Sequence, residues 1–443
     1  MSVIGELATF VTSIKASALP AAEQERLRLH LTDTVLAALA GSSIPEGKAL
    51  QRLGEARSLA ERIGRCAATI RLTEIDDIHL QSCVTPSAGV VPVALLLAAQ
   101  GATADSGEIA SALWAGTEIA TRLGMAVSGP KILYRGIWPT YLVSPVAAAA
   151  TAARLFGLDA QRTSHALSLA AMLTAGGVGH IHGAPSGRWF LYGQAIAGGV
   201  AAAEAARADY HGDPGLLDRD WLSETHGIAL DTSRLTDKLG QGSVYSELSI
   251  KPFCSAKQGV AAVQAFSSIV QAEQIRADAI SRVRVYVPPA YVGMLSTKVE
   301  PGSRQSTFVS VAHQIALCTL APMQLFDVDR SAPAIDAAVA QLSSKVEVVP
   351  DKELEAFYPL HWPADVEVQI GSKTFRNRVI AAAGDPENPL LPSDIEEKGH
   401  RVLDALLGAE RVDEWLLLCR DALTGSAECG RLAAAFAKLC GNG

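Results

Sequence analysis

Through its first 270 residues or so the chain repeats apolar side chains every three or four positions, the spacing of helices that bury one face. Residues 6–41 form two such helices. Pro20 opens the second, Leu27, Leu31, Val35, Leu36 and Leu39 supply its apolar stripe, and Gly41-Ser42-Ser43 ends it. Leu50 to Ala68 holds a further helix or two short ones. Next come Val91 to Gln100 and Ser106 to Val127, the latter with Glu118 and Arg122 spaced to pair on one face. A loop from Ser128 to Pro139 separates these from helices over Ser144 to Phe156 and Gln161 to Thr174. The glycine-rich run GGVGHIHGAPSGRW, residues 176–189, then leads into a small-residue helix from Tyr192 to Tyr210.

After about residue 270 the period changes. Ser281 to Val287, SRVRVYV, alternates with period two and reads as a strand, as do Lys345 to Val349 and Ala364 to Ile370. VEVQI and KTFRNRVIA flank Gly371-Ser372, a two-residue hairpin turn. Helices over Gln305 to Leu320 and Ala334 to Leu342 are interleaved with the strands. From Ser393 onward, DIEEKGHRVLDALL and VDEWLLLCRDAL return to helix. The pattern predicts a mainly α protein: an all-helical domain built from both chain ends, residues 1–268 and 393–443, with an α+β module, residues 269–392, inserted into it.

Composition supports this division. Hydrophobic residues make up 49% of the 443 but aromatics only 5%, so the apolar mass is Ala, Leu, Val and Ile, which lets helices approach closely. The net charge of −8 comes without a dense basic run, which argues against a nucleic-acid groove. No apolar run reaches the roughly twenty residues of a membrane span, and the amino terminus lacks signal-peptide architecture. The seven cysteines show no CxxC spacing, and the odd count fits reduced thiols in the cytoplasm better than a secreted disulfide framework.

Four segments set unusual polar residues among apolar ones. TEIDDIHLQSCVTPSAGVVPV, residues 73–93, crowds Glu74, Asp76, Asp77 and His79 ahead of an apolar run. Buried there, these groups must find partners or shift in pKa; a capped loop before a core helix would satisfy them equally well. The glycine-rich run carries His180, His182 and Arg188. KPFCSAKQ carries Lys251 and Lys257, and GIWPTYLVSP carries Trp138 and Tyr141. A lysine held in apolar surroundings needs an anionic partner or loses its proton more readily, unless it snorkels at a helix start. Arg188 can clamp a carboxylate with both arms or pair with surface acids. Two histidines at i and i+2 without a third ligand do not make a zinc site, so no metal is expected. The GxxxxGK[ST], GxSxG and strand-GxGxxG-helix patterns are absent, which excludes P-loop, serine-hydrolase and dinucleotide sites.

In sequence order, EIDDIH followed by TPSAGVVPVALLLAA resembles the D-[DE]-x-H…HPG/HPS…VVPAxLALAE signature of the MmgE/PrpD family. GIWPTYLVSPVAAAATAARLFGLDAQRTSHALSLAA is similar to that family's FHPTxxxGxxGAAAAAARLLGLDxxQxxxALGIA. SGRWFLYGQAIAGGVAAAEAA resembles TKxLHAGxAAxxGxxAAxLA, IKPFCSAKQGVAAVQA resembles KPYPxCxxxHxxIDA, and GDPENPL matches a late GDPxNPL. The likeness covers nearly the whole chain. It implies an inserted α+β lid, a homodimer and cofactor-free acid/base chemistry on small carboxylates. Dehydration of 2-methylcitrate, decarboxylation of cis-aconitate and epimerisation of iminodisuccinate all occur in the family.

Several family imidazoles are replaced. The histidine before Pro-Gly or Pro-Ser falls on Thr85, that of FHP on Trp138, and that closing the KPYP segment near Ala256 or Lys257. The lysine before the LHAG-like segment falls on Arg188, the KPYP lysine is kept as Lys251, and the aspartate upstream of the DD pair becomes Glu74. The resemblance thus implies Arg188 and Lys251 as carboxylate-binding cations, with Thr85, Trp138 and Tyr141 lining the substrate site. His79 or Lys257 would act as base, Asp77 or Glu74 would orient it, and His182 would return the proton. The expected reaction is isomerisation, epimerisation or elimination by proton abstraction next to a carboxylate. The alternatives are a methylcitrate-dehydratase-like or aconitate-decarboxylase-like lyase, or a member that binds a carboxylate without turning it over.

Overall fold

The structure, a computed structural model, describes residues 1–103, 105–174, 187–330 and 336–441. The chain is mainly α. It divides into a helical unit, Met1–Leu72, Asp76–Leu248 and Leu403–Gly443, and a second unit, Thr73–Ile75 and Ser249–Val402. The second unit thus starts earlier than the pattern change near residue 270 implies, because the helix Lys257–Ala272 packs on that unit's sheet.

In the helical unit, Val3–Ser13 and Ala21–Ser43 realise the two helices at the amino end, and Pro45–Gln51 and Leu59–Arg71 the two short ones. Three segments depart from the sequence reading. The helix expected from Val91 starts at Ser87, the one expected from Ser144 starts at Pro139, and the loop after Ser128 contains the short helix Gly129–Leu133. Pro92 and Pro145 lie inside their helices. A proline costs a helix one amide hydrogen bond, and it obscures the helical pattern in a sequence more than it disturbs a helix packed on several sides. The small-residue helix Gly187–Arg207 crosses Leu59–Arg71 at Gly64 and Gly193, where a Cβ on either glycine would collide with the other's carbonyl oxygen. Glu118 and Arg122 form the expected ion pair at 2.7 Å. Cys66 and Cys440 are joined as a disulfide between Leu59–Arg71 and Ser426–Cys440, which corrects the expectation of free thiols at these two positions. Among the described residues no helix is long and apolar enough to cross a membrane.

The second unit holds a four-stranded sheet in the order Val346–Pro350, Arg282–Val287, Ala364–Ile370, Lys373–Val379. The first pairing is parallel and the other two are antiparallel. Val283, Val285, Val287, Val366 and Val368 turn inward, while Arg376 and Arg378 each bond Asp365 at 2.9 Å on the other face. The hairpin turns at Gly371-Ser372 as the pattern requires, with Gly371 at φ 55° and Ile370 opposite Lys373. The expected helix Gln305–Leu320 is split into Arg304–Val309 and Val311–Leu320, because Ser310 leaves helical geometry and its hydroxyl caps the amide of His313. Burial and the nearby Arg330 guanidinium push the His313 imidazole down to about 4.

Two outcomes follow from this packing. Gly193→Val should lose on the order of 2–3 kcal/mol through overpacking, read as a lower denaturant midpoint at unchanged slope. His313 stays neutral in the fold while an unfolded imidazole titrates near 6.5, so the unfolded chain takes up the extra proton as pH drops from 6.5 towards 4. Stability should therefore fall through that window, and the loss should shrink in His313→Gln when melts are compared at pH 7 and pH 4.5.

Candidate active site

The acidic stretch divides between the two units: Thr73–Ile75 belong to the second, and Asp76 onward to the helical one. Within the helical unit Asp77 has no exposed surface. Its Oδ1 accepts the Ser87 amide at 3.2 Å, and its Oδ2 accepts the Ser87 hydroxyl and meets His30 Nδ1 at 2.9 Å. Ser87 is the first residue of its helix, so Asp77 satisfies an otherwise orphan amide and places negative charge at the positive end of the helix dipole. Asp76, also fully buried, pairs with Arg71.

Around Arg71 the structure brings two expected substrate residues together. The Arg71 and Arg188 guanidinium carbons lie 5.2 and 5.6 Å from the Trp138 ring centroid, and Tyr192 packs on the same indole at 5.7 Å. Arg188 also stacks on Trp189 at 4.6 Å. Such cation–π contacts hold a guanidinium plane while leaving its edge able to donate. Burial pushes the Tyr192 phenol upward, with the Arg71 charge opposing, so it stays a hydroxyl donor across the physiological range. Thr85 is tied down by Thr140, whose hydroxyl oxygen accepts both the Thr85 amide at 3.2 Å and its hydroxyl at 3.3 Å. Tyr141 is half-buried, and burial raises its phenol.

The expected pairing of Asp77 with His79 is not made. His79 is fully buried, with Nδ1 2.9 Å from the Ser82 hydroxyl and Nε2 3.2 Å from Glu247 Oε2. The imidazole of Asp77 is that of His30. The contact with His79 holds the Glu247 carboxyl below its usual range, and Glu247 faces a cavity of about 610 Å³ also lined by Arg122 and Arg234. A base must reach a carbon-bound proton, and His79 has both ring nitrogens engaged and no surface to offer one. His182, expected to return the proton, lies outside the described residues.

The second unit holds the remaining pairs. Lys251 is 2% exposed and its ammonium donates to the Glu74 carboxylate at 3.2 Å and to the Glu74 carbonyl at 3.3 Å. Glu74 adopts φ 55°, a left-handed backbone uncommon outside glycine. Lys257 does not pair with Glu74. It is buried against Asp385, whose Oδ1 also accepts the Ser249 hydroxyl at 2.7 Å and whose Oδ2 accepts the Ala382 amide at 2.8 Å. Lys257 thereby anchors the GDPENPL turn, a fixed ammonium in place of the expected base.

His30, Arg71, Ser87, Tyr192, Glu247 and Asp385 are the members the sequence reading missed. His30 and Tyr192 sit inside helical apolar stripes, where the only signal is one polar group among core positions. Asp385 is marked by GDPENPL, though that motif does not name its partner.

The MmgE/PrpD N-terminal domain matches residues 65–226 and the MmgE/PrpD C-terminal domain matches residues 253–421. The chain belongs to the MmgE/PrpD family, which includes dehydratases and related enzymes of carboxylic acids. No curated protein matches it.

If Lys257 is an anchor, Lys257→Met should cost about 3–5 kcal/mol by leaving Asp385 buried without its cation. Lys257→Met/Asp385→Asn should recover part of that loss in chemical denaturation. Additive losses would instead mean that the pair is not a unit.

Proposed function

We propose that the chain is a cofactor-independent acid/base enzyme that moves a proton next to the carboxylate of a small organic acid, with Glu74 and Lys251 as its central pair. The observation that carries this reading is the buried Lys251–Glu74 contact at a residue of left-handed backbone. Main-chain strain of this kind collects where geometry serves a task. Proton abstraction beside a carboxylate needs a base and a cation that meets the charge developing on the enediolate oxygens. Glu74 takes the proton and Lys251 stabilises the enediolate. Return of the proton to carbon gives isomerisation or epimerisation; loss of a β-leaving group gives elimination. In the helical unit, Arg188, packed on Trp138 and Trp189, is the cation we assign to a carboxylate ligand.

A second reading, a member that binds a carboxylate without turning it over, is favoured by the fate of two positions where the family carries histidine. Thr85 is bonded to Thr140, and Trp138 is packed by two guanidiniums. Deuterium uptake from heavy water into citrate, aconitate, methylcitrate and aspartate-like acids separates the two. Under the first reading at least one acid exchanges, and Glu74→Gln and Lys251→Ala each lower that rate by about 10²–10⁴-fold. Thermal stabilisation by an acid with no exchange into it would establish the second.

A further inference from the structure

We propose that the Cys66–Cys440 pair is a thiol–disulfide exchange site, opened at Cys440 by a small thiol that enters the cavity beside it and kept ready for re-closure by Arg62. The bond joins the helix Leu59–Arg71 to the last residue of Ser426–Cys440, 374 positions apart in the chain. Its two sulfurs are unequally placed. Cys66 is 4% exposed, whereas Cys440 is half-buried at the end of its helix. Both cysteines line a cavity of about 260 Å³, with Arg62 on the same wall. A disulfide sealed in a core is out of reach of thiols in solution; this one meets a cavity and turns its outer sulfur towards the surface.

Attack has one favoured direction. The incoming thiolate bonds the Cys440 sulfur, the S–S bond breaks, and Cys66 leaves with the electron pair and takes up a proton. A second molecule of the thiol attacks the small-thiol sulfur of the mixed disulfide and releases Cys440. Two small thiols are thereby oxidised to one disulfide, the protein disulfide is reduced to two thiols, and two protons pass to Cys66 and Cys440. The protein's own thiols do not supply the nucleophile. Burial pushes Cys254 and Cys429 up to about 11, Cys419 up to about 12 and Cys318 upward, so they hold little thiolate near neutrality, and Cys83 is buried.

Arg62 makes the step reversible. Its Nε donates to the Cys440 carbonyl at 3.4 Å and its Nη2 to the Ala437 carbonyl, which caps the final helical turn. These bonds do not depend on sulfur, and the turn before them is packed through buried Leu432, Ala433 and Phe436. Cys66 lies one turn beyond Arg62 on the same face of Leu59–Arg71. With the S–S bond open, Cys440 therefore stays beside Cys66, and the bond re-forms as an intramolecular step.

The test uses the full chain, equilibrated with oxidised glutathione, then incubated natively with reduced glutathione, quenched in acid and mapped by mass spectrometry. The glutathione adduct should fall on Cys440 about tenfold or more over Cys66, with Cys66 recovered as a thiol and the other five cysteines unmodified. A bond that survives native incubation and yields only in denaturant overturns the proposal. So does an adduct divided evenly or favouring Cys66, or the absence of the bond after oxidised glutathione. During re-closure the Cys440 adduct should persist about tenfold longer in Arg62→Gln than in wild type, with Arg62→Lys between them. Equal lifetimes in wild type and Arg62→Gln overturn the part given to Arg62. If Arg62→Gln does not fold, Arg62→Lys is compared with wild type, and equal lifetimes there overturn it too.

Discussion

A carboxylate removed from water must be given nearly as many donors as it left behind, and the segment from Asp76 to Ser87 is organised around that demand. Asp77 meets it with a helix-terminal amide, a hydroxyl and an imidazole, and Asp76 meets it with Arg71. Because the amide belongs to the first residue of Ser87–Ala99, the same contact sets where that helix begins. Because the imidazole belongs to His30, it also ties the acidic loop to the long helix Ala21–Ser43. Removing one partner would leave the others buried with unmet donors, so the members hold as a group.

The same accounting separates the two lysines of KPFCSAKQ. Both are buried, and both are bound to acids. Asp385 has no exposed surface and is further held by Ser249 and the Ala382 amide, which makes Lys257 part of a closed anchor. Glu74 keeps some exposure and sits on a strained backbone, a costlier way to satisfy an ammonium than an ordinary turn would offer.

In the helical unit the cations have changed company rather than disappeared. Where the family resemblance leads one to expect histidine, an indole packs with Arg71 and Arg188, and a threonine bonds another threonine. Indole and hydroxyl cannot exchange a proton near neutrality, whereas guanidinium groups stacked on an aromatic ring keep their charge and their direction. The Tyr192 phenol, raised by burial, likewise keeps its proton.

Periodicity and turn chemistry determined the helices, the strands and the Gly371-Ser372 hairpin, because each depends on near neighbours in the chain. Motif order determined the family, and the crowding of Glu74, Asp76, Asp77 and His79 correctly marked a segment with polar groups to satisfy. The tertiary structure alone decided who satisfies whom. His30 for Asp77, Glu247 for His79, Asp385 for Lys257 and Lys398 for the Ile75 carbonyl are pairings across long stretches of sequence. The proline-interrupted starts at Ser87 and Pro139 were hidden for a related reason. A helix held by packing on several faces tolerates a proline that local pattern reads as its boundary, and the balance between that local cost and the gain from burial is struck only in the folded chain.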